Sequence, residues 1–156
     1  MQTRRELLSD SAKVASMLAA AGLVPDLALA QAGGTFNAAA FSAKTTAEVM
    51  KALGAAMPTE SKDVSITGPD IAENGAVVPV GAASTLPGVK RLLILVEKNP
   101  SVLTAMFDVT DAIDANVATR VKMGQSSNVF AVAMMNDGKV LFAQKEVKVT
   151  LGGCGG

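Results

Sequence analysis

Residues 90–98 read KRLLILVEK, and this stretch decides the fold class of the chain. Its centre, Leu92 to Val96, is a short, continuous apolar run between charged residues. Such a run predicts a β-strand in the middle of a sheet, covered on both of its faces.

Six further segments around this strand have β-type composition and are separated by Gly, Pro, Asn and Asp. Residues 145–151, KEVKVTL, alternate strictly, which places Val147, Val149 and Leu151 on the inner face. Asp137-Gly138 predicts a hairpin between two strands, and Pro79 restricts its own strand to a sheet edge or a bulge. The other segments cover residues 62–67, 75–83, 101–110, 116–124, 128–136 and 139–151. About seven short strands predict a mainly β fold, an immunoglobulin-like antiparallel β-sandwich over residues 59–151.

A helical segment, residues 31–58, precedes the predicted sandwich. Thr45 and Glu48 have the spacing of a capping box, and Pro58 supplies a stop signal. Val49, Leu53 and Met57 follow at four-residue steps and form a narrow apolar stripe. We therefore expect a short helix from about Thr46 to Leu53, whose stripe covers either the protein's own core or a partner.

The composition argues against several functional classes. Lys and Arg together number 14, as do Asp and Glu, so no net charge attracts nucleic acid or an anionic membrane. The chain has no His, the commonest general base and transition-metal ligand, and aromatic residues make up only 3%. We expect a protein that is not an enzyme and that binds no metal or other cofactor.

Residues 1–30 have the pattern of a cleaved export signal. Arg4 and Arg5 precede an Ala- and Leu-rich stretch, and the small-x-small sequence Ala28-Leu29-Ala30 follows it. Paired arginines before an apolar segment are typical of twin-arginine export, although Leu7 stands where an aromatic residue is usual. The expected location is the periplasm.

The sequence that follows the last predicted strand is Gly152-Gly153-Cys154-Gly155-Gly156, which contains the only cysteine. Glycine pairs have no side chains to pack, so we expect a flexible arm that carries the thiol about 10 Å beyond the sheet. No cation or helix amino terminus lies nearby in sequence to lower the pKa of the thiol. This pattern favours a covalent handle on which other proteins act. The alternative is an interaction module whose Cys154 forms an intermolecular disulfide.

Other candidate sites have ordinary explanations. Met123, Met134 and Met135 could suit copper(I), but Met134 and Met135 point to opposite faces of one strand, which favours core packing. Three carboxylates, Asp108, Asp111 and Asp114, lack the spacing of a calcium loop. Arg120 and Lys122 alternate on one strand face, where they are either simply solvated or attract an anionic partner.

The glycine-flanked cysteine, the export signal and the β-rich body together resemble the SoxY family of the bacterial thiosulfate-oxidising system. The body motifs are residues 71–80, IAENGAVVPV, residues 97–100, EKNP, and residues 118–133, ATRVKMGQSSNVFAVA. The resemblance implies that Cys154 carries the sulfur substrate covalently, with the flanking glycines as its arm. It also implies a heterodimer with a SoxZ-like β-sandwich subunit, with the SoxXA cytochrome, the SoxB hydrolase and a SoxCD dehydrogenase as transient partners.

Overall fold

The computed structural model describes residues 37–151, with the backbone alone for Leu151. The predicted export signal, residues 1–30, and the predicted arm, residues 152–156, lie outside the described residues. Within residues 37–151 no helix is long and apolar enough to cross a membrane.

Two short helices open the described chain: α1, Ala38–Ser42, and α2, Thr46–Ala52. The predicted capping box begins α2, because the Thr45 hydroxyl accepts a hydrogen bond from the Glu48 amide at 3.2 Å. The helix ends at Ala52, close to the predicted end at Leu53. Gly54 adopts a φ of 63°, and its amide donates to the Lys51 carbonyl while the Ala55 amide donates to Met50, a pairing that closes the last turn.

Nine strands follow within residues 37–151, two more than the roughly seven that the sequence predicted. They are β1 Thr59–Glu60, β2 Val64–Thr67, β3 Ile71–Asn74, β4 Val78–Ser84, β5 Val89–Val96, β6 Leu103–Asp108, β7 Asn116–Val121, β8 Ser127–Met135 and β9 Val140–Leu151. The larger sheet has the order β1-β9-β8-β5-β6, with β3 also paired to β9, and the smaller sheet has the order β2-β4-β7. Among the described strands, β1 and β3 each pair with β9 in parallel, and all the other pairs are antiparallel. The mainly β, immunoglobulin-like sandwich is therefore confirmed.

The strand that decided the fold class, β5, is a middle strand covered on both faces, as predicted. It lies between β8 and β6, and residues 92–96 are fully buried. Its side chains alternate between two cores. Leu92, Ile94 and Val96 face the smaller sheet, whereas Leu93 and Leu95 pack beneath the helices. The helical segment thus covers the protein's own sheet through Val49 and Met50, while Met57 of the predicted stripe is 62% exposed.

Two local expectations change in detail. Pro79 lies in β4, which is the middle strand of its sheet and not an edge strand. The proline is tolerated because β2 pairs with β4 only as far as Gly81, so Pro79 has a ladder partner on the β7 side alone. The predicted hairpin joins β8 to β9, but its loop is longer than the Asp137-Gly138 pair, since residues 136–139 lie between the two strands. The Gly138 amide donates to the Met135 carbonyl, and Gly138 has a φ of 88°.

Candidate functional site

The described part of the candidate site is the carboxyl-terminal end of β9, from which the Gly-Gly-Cys-Gly-Gly segment continues. β9 pairs with β8 only as far as Val147, where β8 begins at Ser127. Beyond that point β3 takes over on the other side of β9, with Ile71 opposite Lys148 and Asn74 opposite Leu151. The last four residues of β9 therefore keep a ladder of backbone hydrogen bonds after their first partner has ended.

On the side that β8 leaves open, a serine takes the place of a strand. Ser126 precedes β8, and its hydroxyl accepts a hydrogen bond from the Val149 amide at 2.9 Å. On the β3 side, the Thr150 hydroxyl donates to the Glu73 carbonyl at 3.0 Å. Both edges of the strand end are thus hydrogen-bonded to the rest of the domain within two residues of Leu151.

An ion pair holds the β2–β3 connection against the same strand. The Lys145 ammonium lies 2.9 Å from an Asp70 carboxylate oxygen and donates to the Gly68 carbonyl at 2.6 Å. The hydrogen bond from Lys145, followed by its charge, holds the pKa of Asp70 below its usual value. Backbone pairing of the Lys148 amide with the Asp70 carbonyl, at 3.0 Å, sets the start of β3.

The loop between β7 and β8 completes this end of the sandwich. The Met123 amide donates to the Gly75 carbonyl at 2.7 Å, and Asn99 bridges the loop by donating to the Lys122 carbonyl and accepting from the Gly124 amide. Met123 is fully buried. The loop is therefore fixed to the β3–β4 and β5–β6 connections, which leaves Ser126 in a defined position.

The surface around the strand end carries exposed apolar and charged side chains. Ile71 on β3 is 58% exposed and Val77, just after the turn that follows Asn74, is 54% exposed. Lys148 and Glu73 are also exposed. This surface offers apolar contact to another protein and has no single sign of charge.

The residues that were predicted to act, Cys154, Gly152, Gly153, Gly155, Gly156, Arg4 and Arg5, lie outside the described residues. The structure describes the contacts that hold the end of β9, from which the arm continues. Ser126 and β3 were not predicted as part of the site. The four-residue β3 has no clear periodicity, and Glu73-Asn74-Gly75 resembles a turn, so the sequence offered little signal for a parallel pairing with β9.

Neither of the alternative metal hypotheses finds support in the described residues. Met134 packs under the helices, whereas Met123 and Met135 lie between the sheets, so the three thioethers do not converge. Asp108 is engaged by Arg91 at 2.6 Å. Across residues 37–151 no group of three or more His, Cys, Asp or Glu side chains is placed to hold a metal ion.

The fold and the strand end define an immunoglobulin-like sandwich whose only cysteine follows the last strand of the larger sheet. The family model described as "Sulfur oxidation protein SoxY" matches residues 49–154, a range that includes Cys154. The chain belongs to the SoxY family of sulfur oxidation proteins.

Solved structures agree with this assignment. The sulfur carrier protein SoxY from Chlorobium limicola f. thiosulfatophilum is 36% identical, with a TM-score of 0.59, over 66% of this chain and 93% of that one. A superoxide reductase (neelaredoxin) from Ignicoccus hospitalis is 16% identical with a TM-score of 0.50, over 55% of this chain and 78% of its own. A putative superoxide reductase from Thermotoga maritima is 10% identical at the same TM-score, over 59% and 93%. These two show the fold alone. No curated protein matches the chain.

Proposed function

We propose that this chain is a sulfur carrier that holds thiosulfate-derived intermediates covalently on the thiol of Cys154 and presents them to partner enzymes. The observation that carries the proposal is the family match, which extends through the end of β9 to the only cysteine. The similar Chlorobium structure is of a sulfur carrier protein. A carrier needs one reactive atom and a fixed point of attachment for its arm, and the strand end at Leu151 supplies that attachment point.

The described residues form a rigid attachment point of the kind that a carrier arm requires. Ser126 and β3 hold β9 up to its last residue, so the motion of an arm would begin at Gly152 and not within the sheet. Three extended residues span about 10 Å, which sets the reach of the Cys154 sulfur from Leu151. Glycines on both sides of Cys154 present only backbone to a narrow partner pocket, and they leave the thiol free to turn within it.

Loading of the carrier is an oxidation. The Cys154 thiol joins the outer sulfur of thiosulfate to give Cys–S–S–SO₃⁻, with release of one proton and two electrons. We propose that a SoxXA-type cytochrome accepts those electrons. A SoxB-type hydrolase then releases sulfate by adding water, and a SoxCD-type dehydrogenase oxidises the sulfur that remains on Cys154. The carrier itself contributes no cofactor and no catalytic group in this scheme.

The partner and the location complete the proposal. We propose a heterodimer with a SoxZ-like β-sandwich subunit, in the periplasm, after export directed by Arg4 and Arg5. Export through the twin-arginine route suits a pair that assembles before it crosses the membrane, because that route carries folded proteins. The exposed Ile71 and Val77 beside the strand end are suitable contacts for proteins that approach the arm.

The test asks whether turnover requires a thiol at position 154 or only a thiol somewhere on the protein surface. Periplasmic protein from thiosulfate-grown cells is expected to show sulfur mass adducts on the peptide that contains Cys154, and Cys154→Ser is expected to abolish thiosulfate turnover. The matched control adds Ser65→Cys to that variant, which places one thiol on the exposed face of β2. We expect this control to remain inactive.

Two results would contradict the carrier proposal. One is full pathway flux with Cys154→Ser. The other is a quantitative disulfide to a second chain that persists on non-reducing electrophoresis during turnover, which would favour the disulfide-linked interaction module instead.

A further inference from the structure

The strand β6 forms an open edge of the larger sheet. It pairs with β5 alone, and no other described strand lies beside it. The Val109 amide donates to the Lys90 carbonyl, which fixes the alternation of the antiparallel ladder. The backbone groups of Met106 and Asp108 therefore point away from β5, towards the open side.

This edge has little of the protection that exposed strands usually carry. Proteins block sheet edges with lysine, proline, bulges or covering segments. β6 has no lysine or proline, and its one charged residue, Asp108, is paired with Arg91. The register shift between Ile94 and Leu95 leaves Thr104 as an extra residue at the start of β6, so the regular open edge begins at Ala105. At the opposite side of the same sheet, β1 and β3 cover the edge of β9.

A groove of about 530 Å³ adjoins the start of β6. It is lined mainly by apolar surface from Asn99, Pro100, Ser101, Leu103, Thr104, Lys122 and Gly124. Lys122 is the one ionisable residue in this lining. A second cation reaches the same groove, because the Lys44 ammonium donates to the carbonyl of Pro100, one of the lining residues, at 2.6 Å. The groove is therefore apolar with a positively charged rim.

We propose that the β6 edge and this groove bind an extended strand of another protein, with an acidic residue of that strand next to Lys122. Strand addition pairs the backbone of the incoming segment with Met106 and Asp108, which gives affinity, while the groove selects side chains. The acidic residue follows from charge complementarity with Lys122 and Lys44. The inference goes beyond the carrier proposal, since no part of it depends on the chemistry of Cys154.

The test uses the full chain, labelled with ¹⁵N and kept reduced, and two synthetic peptides. In one peptide valine alternates with threonine and glutamate, and in the other lysine replaces glutamate. Amide exchange of Met106 and Asp108 is expected to slow on saturation with the glutamate peptide, while the amides of Ala105 and Phe107, which already face β5, change little. The lysine peptide is expected to bind more weakly.

Three variants separate strand addition from adventitious contact. Lys122→Glu is expected to weaken the glutamate peptide roughly three- to tenfold and to strengthen the lysine peptide. Lys62→Glu, at an exposed lysine in the connection before β2, is the matched control and is expected to change neither affinity. Met106→Pro removes an edge amide without removing a bond to β5, so it should abolish peptide binding by the folded protein. It should also lower thermal stability somewhat, because the Met106 side chain packs against the core beneath the helices.

The proposal is wrong if peptide-induced changes map to β2 or β7, if neither peptide binds, or if Lys62→Glu acts like Lys122→Glu. It is also wrong if Met106 and Asp108 become protected as the protein concentration rises without peptide. That last result would assign the edge to a second copy of this chain.

Discussion

Replacing Ser126 with alanine tests whether the end of β9 is held as the structure indicates. The Ser126 hydroxyl accepts the hydrogen bond from the Val149 amide at 2.9 Å, at a half-buried position that β8 no longer reaches. Loss of one such bond lowers the free energy of unfolding by about 1 kcal/mol, since water reaches Val149 and limits the desolvation cost. For a domain of this size, that corresponds to a fall in Tm of about 4 °C.

The assay combines thermal denaturation with hydrogen exchange at single amides. Exchange at Val149 is expected to rise about fivefold in Ser126→Ala, because local opening becomes easier by the same free energy. Exchange in the buried strand β5 should change only with global stability. Ser65→Ala, at an exposed position in β2, is the control and should alter Tm by less than about 2 °C. Unchanged exchange at Val149, or an equal effect of Ser65→Ala, would refute the role assigned to Ser126.

Three further predictions concern the body of the protein. Leu93→Ala removes a fully buried side chain beneath the helices and should lower the free energy of unfolding in urea by about 3 kcal/mol, whereas Met57→Ala, at a residue 62% exposed, should have almost no effect. Gly138→Ala should cost about 1 kcal/mol in the same assay, because alanine is strained at a φ of 88°; no change there would contradict the hairpin geometry. The pKa of Asp70 in the folded state lies below the ordinary value of 3.8, because of the hydrogen bond and charge of Lys145. This exposed pair therefore stabilises the fold modestly at pH values above the ordinary pKa, and the stabilisation is lost as pH falls through the lowered pKa. In urea titrations, Asp70→Asn should have a lower free energy of unfolding than the unmodified chain at neutral pH and the same free energy at acid pH.

The larger sheet could be predicted from sequence because its strands have strong, one-sided signals. The run from Leu92 to Val96 can be stable only with cover on both faces, and the structure places helices on one face and the smaller sheet on the other. The alternation around Val147 likewise predicted that Val147 and Val149 face inwards, as they do; the side chain of Leu151 lies outside the described part of the chain. These features depend on the hydrophobic period within one strand, which a single sequence displays.

Pairing partners were harder to predict, because they depend on residues far apart in the chain. β1 has two residues and β3 has four, too few for a period, and both join β9 in parallel. Pro79 shows the same limitation. Its missing amide excludes a hydrogen-bonded neighbour on one side, but only the length of β2 determines that β4 can still be a middle strand.

In the candidate site, too, the local feature could be predicted and the contacts between distant residues could not. The reactive residue, Cys154, was identified from its neighbours in sequence, since glycine pairs around a lone cysteine form a local pattern. Its structural support was not identified. Ser126 and the Asp70–Lys145 pair act on β9 from separate parts of the chain, and isolated serine and charged residues occur throughout any surface.

The two proposed binding features lie at different levels of the larger sheet. β9 ends beside Ser126, where β8 begins, and the start of β8 lies next to the end of β5 and the start of β6. Neighbouring strands are about 4.8 Å apart, so β6 lies roughly 14 Å across the sheet from β9. Through Leu93 and Val132, Met106 lies level with Phe142 of β9, nine residues before Leu151, which adds about 30 Å along the strand. A protein bound at the β6 edge would therefore stand beyond the roughly 10 Å reach of the arm and would not cover the strand end. Such an arrangement would let the β6 edge be occupied while the arm stays free to enter other proteins.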